Sequence, residues 1–373
     1  MGGIGPNGEY VGGEQLQGRG IITPPAAPAL PDGLTATAWT LVDLDTGKIL
    51  AARDPHGRYQ PASILKTLTC VTLIPLLPGD KIVTPSAQAA GAEGSAVGIV
   101  AGGKYTVDEL FQGLLMVSGN DTAAALAEAA GGVSHTVQLM NAKALSLGAY
   151  DTFVQTPSGL DGWQQLTSAY DMSLFLRAAV NLPRFVAYDQ TRTATIPAQN
   201  ANGKALNAFQ IQSQSTPFMT KVPGALVAKT GFTDAAQHTY VAATERNGHR
   251  LGVVFMRAQR WPLDQWQQAA KLFDWGYALA PTVAAVGHLD DAVVTPAQAA
   301  QSSQAAATKT AALRKAEAAA KANSQWRQSI PIAIIGLGVI IVSVVMVRRR
   351  PRKAAPLSQT PPPTDLLDPV RSE

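Results

Sequence analysis

The run Pro61-Ala62-Ser63-Ile64-Leu65-Lys66-Thr67-Leu68-Thr69-Cys70-Val71-Thr72-Leu73-Ile74, closed by Pro75 and Pro78, decides how this chain is read. Apolar positions continue from Ser63 to Ile74, and proline stops a helix because it lacks the N–H and clashes with the preceding turn. A helix opening at or near Ser63 fits both ends. Ser63 then lies on the first turn, and Lys66, three residues on, shares its face. A serine hydroxyl is a weak nucleophile that needs a base, and an amine so placed can take its proton, with the positive helix end adding its potential. Alone the pair is weak evidence, since most Ser-x-x-Lys spacings are solvated helix surface.

Working outward, residues 1–33 have no periodicity and read as an irregular extension. Residues 36–43 alternate as a strand, Asp45-Thr46-Gly47 is a turn, and residues 48–53 return, which makes a β-hairpin. On the other side, Thr106-Val107-Asp108-Glu109 is a capping box for a helix reaching Val117. Ser118-Gly119-Asn120 interrupts it before an alanine-rich helix that ends at Gly131-Gly132. Further helices are expected over residues 134–147 and 168–182, strands over 225–230, 239–245 and 250–257, and a last amphipathic helix over 263–279. Strands near both ends of one domain, residues 34–285, are expected to pair into an antiparallel sheet flanked by helices, an α+β fold.

Beyond that domain, residues 297–322 hold 13 alanines in 26 positions with Leu313 as the one large apolar side chain, so residues 286–328 are expected to form a stalk. Residues 330–347 run 18 positions without a charge, enough at about 1.5 Å per residue to cross a hydrocarbon layer of roughly 30 Å. Trp326 on one side and Arg348, Arg349, Arg350, Arg352 and Lys353 on the other are interface residues, and the expectation is a single transmembrane helix over 329–348. The positive-inside rule puts the tail, residues 349–373, in the cytoplasm as a disordered segment and the domain outside the membrane. That orientation requires an export signal, and residues 1–31 hold no apolar run of the length such signals use, so the start reads as truncated or misassigned.

The formal charge of +4 is exceeded by the five cations beside the apolar run, so the rest of the chain is near neutral and offers no nucleic-acid-binding face. One cysteine, Cys70, excludes an intrachain disulfide, and the five histidines lack metal-ligand spacing; no metal or cofactor is expected. Cys70, four residues after Lys66, reads as packing. His238 reads as a strand residue without a catalytic role.

What raises Ser63 and Lys66 above coincidence is company: Ser118-Gly119-Asn120 at a helix break and Lys229-Thr230-Gly231 at a strand end, in the order known for serine acyl-transfer enzymes. With Met116-Val117-Ser118-Gly119-Asn120-Asp121, Thr156-Pro157-Ser158-Gly159-Leu160-Asp161 and Lys229-Thr230-Gly231-Phe232-Thr233-Asp234-Ala235-Ala236, the chain over residues 34–280 resembles the low-molecular-mass penicillin-binding proteins. Among these it is most similar to the serine D-alanyl-D-alanine carboxypeptidases. Gln237 departs, since many members have glycine there.

The resemblance implies that Ser63 attacks the carbonyl between two D-alanines, that Lys66 is the base, and that Ser118 passes the proton to the leaving amine. Asn120 would fix the substrate amide or Lys66, and Lys229 and Thr230 the terminal carboxylate. The N–H groups of Ser63 and Phe232 would form the oxyanion hole. Gly231, Phe232 and Thr233 fall in the substrate-binding strand, and Arg260 is a second candidate cation for the carboxylate. The implied substrate is a peptidoglycan stem peptide ending in D-Ala-D-Ala, with β-lactams as covalent inhibitors and membrane lipid as the partner of the C-terminal helix. A β-lactamase of the Glu-dependent class is disfavoured because no glutamate occurs between Ala129 and Thr244. A non-catalytic penicillin-binding sensor and a wall-binding module are the other readings.

Overall fold

The computed structural model describes residues 2–289, apart from 201, 203 and 280–282, together with residue 315. The chain divides into two compact units at residue 310, and all described residues but one belong to the first. The expected transmembrane segment, tail and most of the stalk lie outside the described residues.

Eleven strands are present among these residues: β1 Ile21–Ile22, β2 Ala38–Asp43, β3 Lys48–Arg53, β4 Ile82–Val83, β5 Tyr105–Thr106, β6 Thr193–Ile196, β7 Phe209–Gln212, β8 Ala225–Thr233, β9 Gln237–Arg246, β10 His249–Ala258 and β11 Gly287–His288. The helices are α1 Lys66–Leu73, α2 Ala87–Ala90, α3 Val107–Met116, α4 Asn120–Ala129, α5 Val133–Ser146, α6 Ala169–Val180, α7 Pro183–Gln190, α8 Thr216–Lys221 and α9 Gln265–Tyr277. One antiparallel sheet runs β1-β3-β2-β10-β9-β8, with β11 also on β3. The expected union of strands from the two ends of the domain is the pairing of β2 with β10, Leu41 opposite Val253 and Trp39 opposite Phe255.

Period-2 geometry sends alternate residues of these strands into two cores. Val42, Val254 and Met256 face the layer built from α1 and α3 to α7, whereas Trp39, Leu41, Leu251, Val253 and Phe255 face α9 and α8. With both faces covered, β2 is buried along its whole length and β9 and β10 through their middles, unlike a sheet with one wet face. Helix α9 sits close because Gly276 has no side chain; a Cβ there would lie 2.8 Å from Leu41 Cδ2.

Where structure and sequence reading differ, local energetics explain it. The helix expected at Ser63 begins as a 3-10 turn, Ala62–Leu65, and becomes α1 at Lys66. The arm before residue 34 is not wholly irregular, since Ile21 and Ile22 pair with Ala52 and Arg53. The packed body also continues past residue 285: Gly287 pairs with Ile49, and Val286 and Leu289 are buried. Two residues of pairing are too short to leave a periodic signal.

Candidate active site

Ser63 is held from three sides. Its own turn is tied to β9 by Thr239 Oγ1, which donates to Pro61 O at 2.8 Å. Gly159 presses on the turn so closely that a Cβ would lie 1.9 Å from Ala62 O, and its φ of +88° is one that glycine adopts without strain. Gly231 on β8 is as constrained, since a Cβ there would meet Ser63 N at 2.8 Å.

Lys66 opens α1 with no exposed surface. Its Nζ lies 3.0 Å from Ser63 Oγ, 2.7 Å from Asn120 Oδ1 and 2.7 Å from Ser158 O. The last two are obligatory acceptors. As an ammonium Nζ donates to all three; in the neutral form, with two N–H groups and one lone pair, these two acceptors would take both N–H groups and leave the lone pair to Ser63. The electrostatics agree: burial first, then the charge of Lys229, push Lys66 well below the ordinary lysine range, against smaller opposing effects of Cys70 and Asp121. The structure therefore sets a buried lysine amine, its pKa lowered by burial, against the serine hydroxyl.

Ser118 lies in the break between α3 and α4 in the left-handed region, φ 64°, a costly conformation for a residue with a Cβ. Its Oγ is buried without a hydrogen-bond partner among the described residues, and it lines the same cleft as Ser63. Asn120 begins α4; its Nδ2 donates to Glu93 O at 2.6 Å while its Oδ1 faces Lys66. Asn120 thus contacts Lys66, one of the two groups offered to it.

Strand β8 is the free edge of the sheet. Its first half is covered by side chains, for Ala228 N donates to Asp189 Oδ1 at 3.0 Å and Ala228 O accepts from Ser215 Oγ at 2.5 Å. Alternation then turns the N–H groups of Thr230 and Phe232 to that same edge. Lys229 is buried on the opposite side of the strand and donates to Thr230 O at 2.8 Å. Burial lowers it to about 8, and Asp189 opposes that shift. Thr230 Oγ1 donates to Gln214 Oε1 at 3.3 Å, and Thr233 Oγ1 to Asp161 Oδ1 at 2.7 Å. Phe232 is 56% exposed and its ring lies 4.6 Å from that of His238.

The cleft, about 550 Å³, is lined by Ser63, Ser118, Thr230, Gly231 and Phe232, and extends to Arg260. Arg260 Nε is bound to Asp264 Oδ1 at 2.8 Å at the rim. Cys70 is fully buried and its thiol is pushed well above the usual range by that burial, so it is no rival nucleophile. The sequence reading missed the Ser158 carbonyl, although it lies inside a quoted motif, and missed Asp189, which no local pattern marks. At Gln237 the backbone has φ 55°, which is why glycine suits that position; here Gln259 Nε2 donates to its Oε1 at 3.1 Å.

A family model described as D-alanyl-D-alanine carboxypeptidase matches residues 25–260. The chain belongs to that family. It is 38% identical over 272 residues to the D-alanyl-D-alanine carboxypeptidase DacB2 of Mycobacterium tuberculosis, covering 72% of this chain and 90% of that protein. The D-alanyl-D-alanine carboxypeptidase DacF of Bacillus subtilis is 28% identical over 249 residues, and this chain spans 62% of its length. The crystal structure of a D-alanyl-D-alanine carboxypeptidase from Mycobacterium tuberculosis superposes with a TM-score of 0.67 at 38% identity, over 72% of this chain and 99% of that one. A Streptomyces DD-transpeptidase, 22% identical with a TM-score of 0.63 over 68% of this chain and all of its own, shares the fold. Membership in the D-alanyl-D-alanine carboxypeptidases thus rests on most of the described body, and the α+β fold with its antiparallel sheet is the one this family and its structural relatives use.

Proposed function

We propose that the chain is a serine D-Ala-D-Ala carboxypeptidase that removes the terminal D-alanine from peptidoglycan stem pentapeptides through an acyl-enzyme on Ser63. The observation that carries this reading is the buried Lys66 Nζ 3.0 Å from Ser63 Oγ, held in place by Asn120 Oδ1 and Ser158 O. In the first step the Ser63 O–H proton passes to Lys66 Nζ while Oγ bonds to the carbonyl carbon, and the carbonyl π pair moves onto oxygen. The N–H of Ser63, adjoining Gly231, and that of Phe232 on the open edge of β8 are suited to hold that oxyanion. Collapse breaks the C–N bond, and Ser118, its hydroxyl otherwise unpartnered, is suited to relay a proton to the departing D-alanine amine. Water then attacks the ester, gives up a proton to Lys66, and Ser63 is released. β-Lactams would enter by the same first step.

Purified protein incubated with a pentapeptide ending in D-Ala-D-Ala is expected to release D-alanine. Ser63→Ala and Lys66→Ala should each lower the rate by roughly 1000-fold or more. A fluorescent penicillin should label Ser63 and fail to label Ser63→Ala; persistent labelling of that variant would overturn the nucleophile. Stable labelling without D-alanine release would instead favour a penicillin-binding sensor.

The body over residues 34–285 is the catalytic domain in this reading. None of the described helices is long and apolar enough to cross a membrane, and residues 330–347 are not among those described. Their sequence supports a single anchor through lipid, with the catalytic body outside the cytoplasm. Detergent partitioning that is unchanged on deletion of residues 330–353 would remove the anchor from this reading.

A further inference from the structure

The segment Thr156-Pro157-Ser158-Gly159-Leu160-Asp161 has so far supplied the Ser158 carbonyl to Lys66 and the Gly159 contact to the turn of Ser63. Its last residue, Asp161, has no part in the scheme above. Its side chain is exposed, and exposed aspartates ordinarily face water. This one accepts a hydrogen bond from Thr233 Oγ1 at 2.7 Å, across 72 positions of sequence.

What the bond joins gives it consequence. On one side lies the loop of residues 155–165. Its base is fixed by the buried Gln165, whose Oε1 accepts from Gln155 N at 2.9 Å and Thr156 N at 2.8 Å and whose Nε2 donates to Leu160 O. On the other side lies the end of β8, where Thr233 directly follows Phe232 and pairs with Gln237 of β9. Thr233 Oγ1 also accepts from Ala236 N at 3.0 Å, so the same hydroxyl shapes the turn between β8 and β9. Asp189 and Ser215 secure the open edge of β8 as far as Ala228. Beyond it, two side chains hold the strand from across the cleft, Gln214 at Thr230 and Asp161 at Thr233. The Asp161 bond, 2.7 Å against 3.3 Å and made to a carboxylate, is the stronger.

We propose that Asp161 is a positioning residue for acyl transfer: through Thr233 it registers the loop that carries the Ser158 carbonyl against the strand that carries the Phe232 N–H. The inference rests on the carboxypeptidase reading. Lys66 is held from the loop and the developing oxyanion from the strand. The tie therefore keeps proton acceptor and oxyanion donor at a fixed spacing while Ser63 Oγ bonds to the carbonyl carbon. A misplacement of about 1 Å at such groups can cost roughly 100-fold in rate. Because Asp161 acts through other residues, its loss belongs in kcat and in transition-state binding, with KM near its former value.

The test uses the full-length protein, with active sites counted by exhaustive labelling with a fluorescent penicillin so that unfolded protein drops out. Two quantities are read per labelled site. One is kcat and KM for D-alanine release from a pentapeptide ending in D-Ala-D-Ala. The other is the inhibition constant of a peptide boronic acid, which adds to Ser63 as a tetrahedral mimic of the intermediate. Asp161→Ala should lower kcat roughly 10-fold with KM within about twofold, and should weaken the boronic acid by a similar factor. Asp161→Asn, whose Oδ1 can still accept from Thr233, should restore both to within about threefold of wild type. Thr233→Val should cost at least as much as Asp161→Ala, and adding Asp161→Ala to it should cost nothing further. An unchanged kcat per labelled site in Asp161→Ala, a loss confined to KM, or an Asp161→Asn as impaired as Asp161→Ala each overturns the proposal. Wild-type protein that labels but releases no D-alanine overturns the carboxypeptidase reading; the boronic acid comparison, which requires only Ser63, then still decides the tie.

Discussion

Lys229 and Asp189 illustrate how burial sets the chemistry of a single residue. Asp189 Oδ1 accepts from Ala228 N, its Oδ2 has no partner among the described residues, and burial raises the carboxyl to about 7. Burial likewise lowers Lys229 to about 8, and each residue's charge opposes the other's shift. If the Lys229 ammonium binds the substrate carboxylate, kcat/KM should fall as pH rises through about 8, since that parameter titrates the free enzyme. Asp189→Asn removes a charge that holds Lys229 up, and should move this limb lower by roughly one pH unit. An unmoved limb in that variant would mean that the carboxylate does not act through Lys229. Stability follows the same shifts. The folded Asp189 carboxyl lies above its unfolded value of 3.8, so its contribution is complete below that value and lost as pH rises to about 7. Lys229 is depressed, so its contribution is complete above 10.5 and lost as pH falls through about 8. Thermal melts should therefore dip near pH 7 to 8, and in Asp189→Asn the decline from pH 4 to 7 should shrink.

The junction of α3 and α4 is where an element, more than a residue, makes the site. Thr106 and Glu109 form the capping box that the sequence shows: Glu109 N donates to Thr106 Oγ1 at 3.2 Å, and Thr106 N to Glu109 Oε2 at 2.8 Å. Helix α3 ends at Met116, the chain turns left-handed at Ser118, and α4 begins at Asn120. Asp121, on the first turn of α4, then collects the N–H groups of Val97, Gly98 and Ile99 at 3.0, 2.8 and 3.2 Å. This draws the preceding loop against Asn120, whose N donates to Ser95 O at 2.6 Å. Asp121→Ala would leave those three N–H groups without their acceptor and loosen Asn120, and with it Lys66. The expected result is a loss of kcat of roughly 10-fold or more with new protease cleavage between residues 93 and 99; full activity with an intact loop would refute it. The legibility of the sequence follows the same division. Ser63, Lys66, Ser118, Asn120 and Lys229 stand in local motifs, and the capping box, α5, α6 and the strands β8 to β10 follow from periodicity and caps. Asp121's grip on Val97 and Ser158's carbonyl on Lys66 depend on segments that meet only after folding. The short elements α7, α8, β6 and β7 are too brief for a pattern to accumulate.

The whole molecule assigns its two sheet edges opposite fates. An uncovered edge is a template for pairing, and proteins cover the one they do not use. Here β3 is covered by β1 from the N-terminal arm and by β11 from the far end of the body, whereas β8 stays open beside Ser63. The arm reaches its place through a buried polar cluster. Asp151, with a side chain 1% exposed, accepts from Gly3 N at 2.9 Å and pairs with His56 Nδ1 at 2.7 Å and Arg58 Nε at 3.3 Å. His56 Nε2 lies 3.1 Å from Val11 O on the arm, and its ring packs on Tyr170 at 4.6 Å. Tyr170 Oη in turn donates to His288 O on β11, and His288 N to Gly12 O, so arm, cluster and β11 form one circuit. Removing the Asp151 carboxylate leaves the Gly3 N–H and His56 Nδ1 buried without their acceptor, a cost of about 1–3 kcal/mol each. Asp151→Ala should therefore lower the melting temperature by roughly 6–20 °C. If the cost arises from holding the arm, it must fall sharply in a chain lacking residues 2–13, where Gly3 and Val11 are gone and water reaches His56. A double-mutant cycle on melting free energies measures this coupling directly. Equal costs with and without those residues would mean that Asp151 stabilises only the body, and that the arm lies on β3 without help from the cluster.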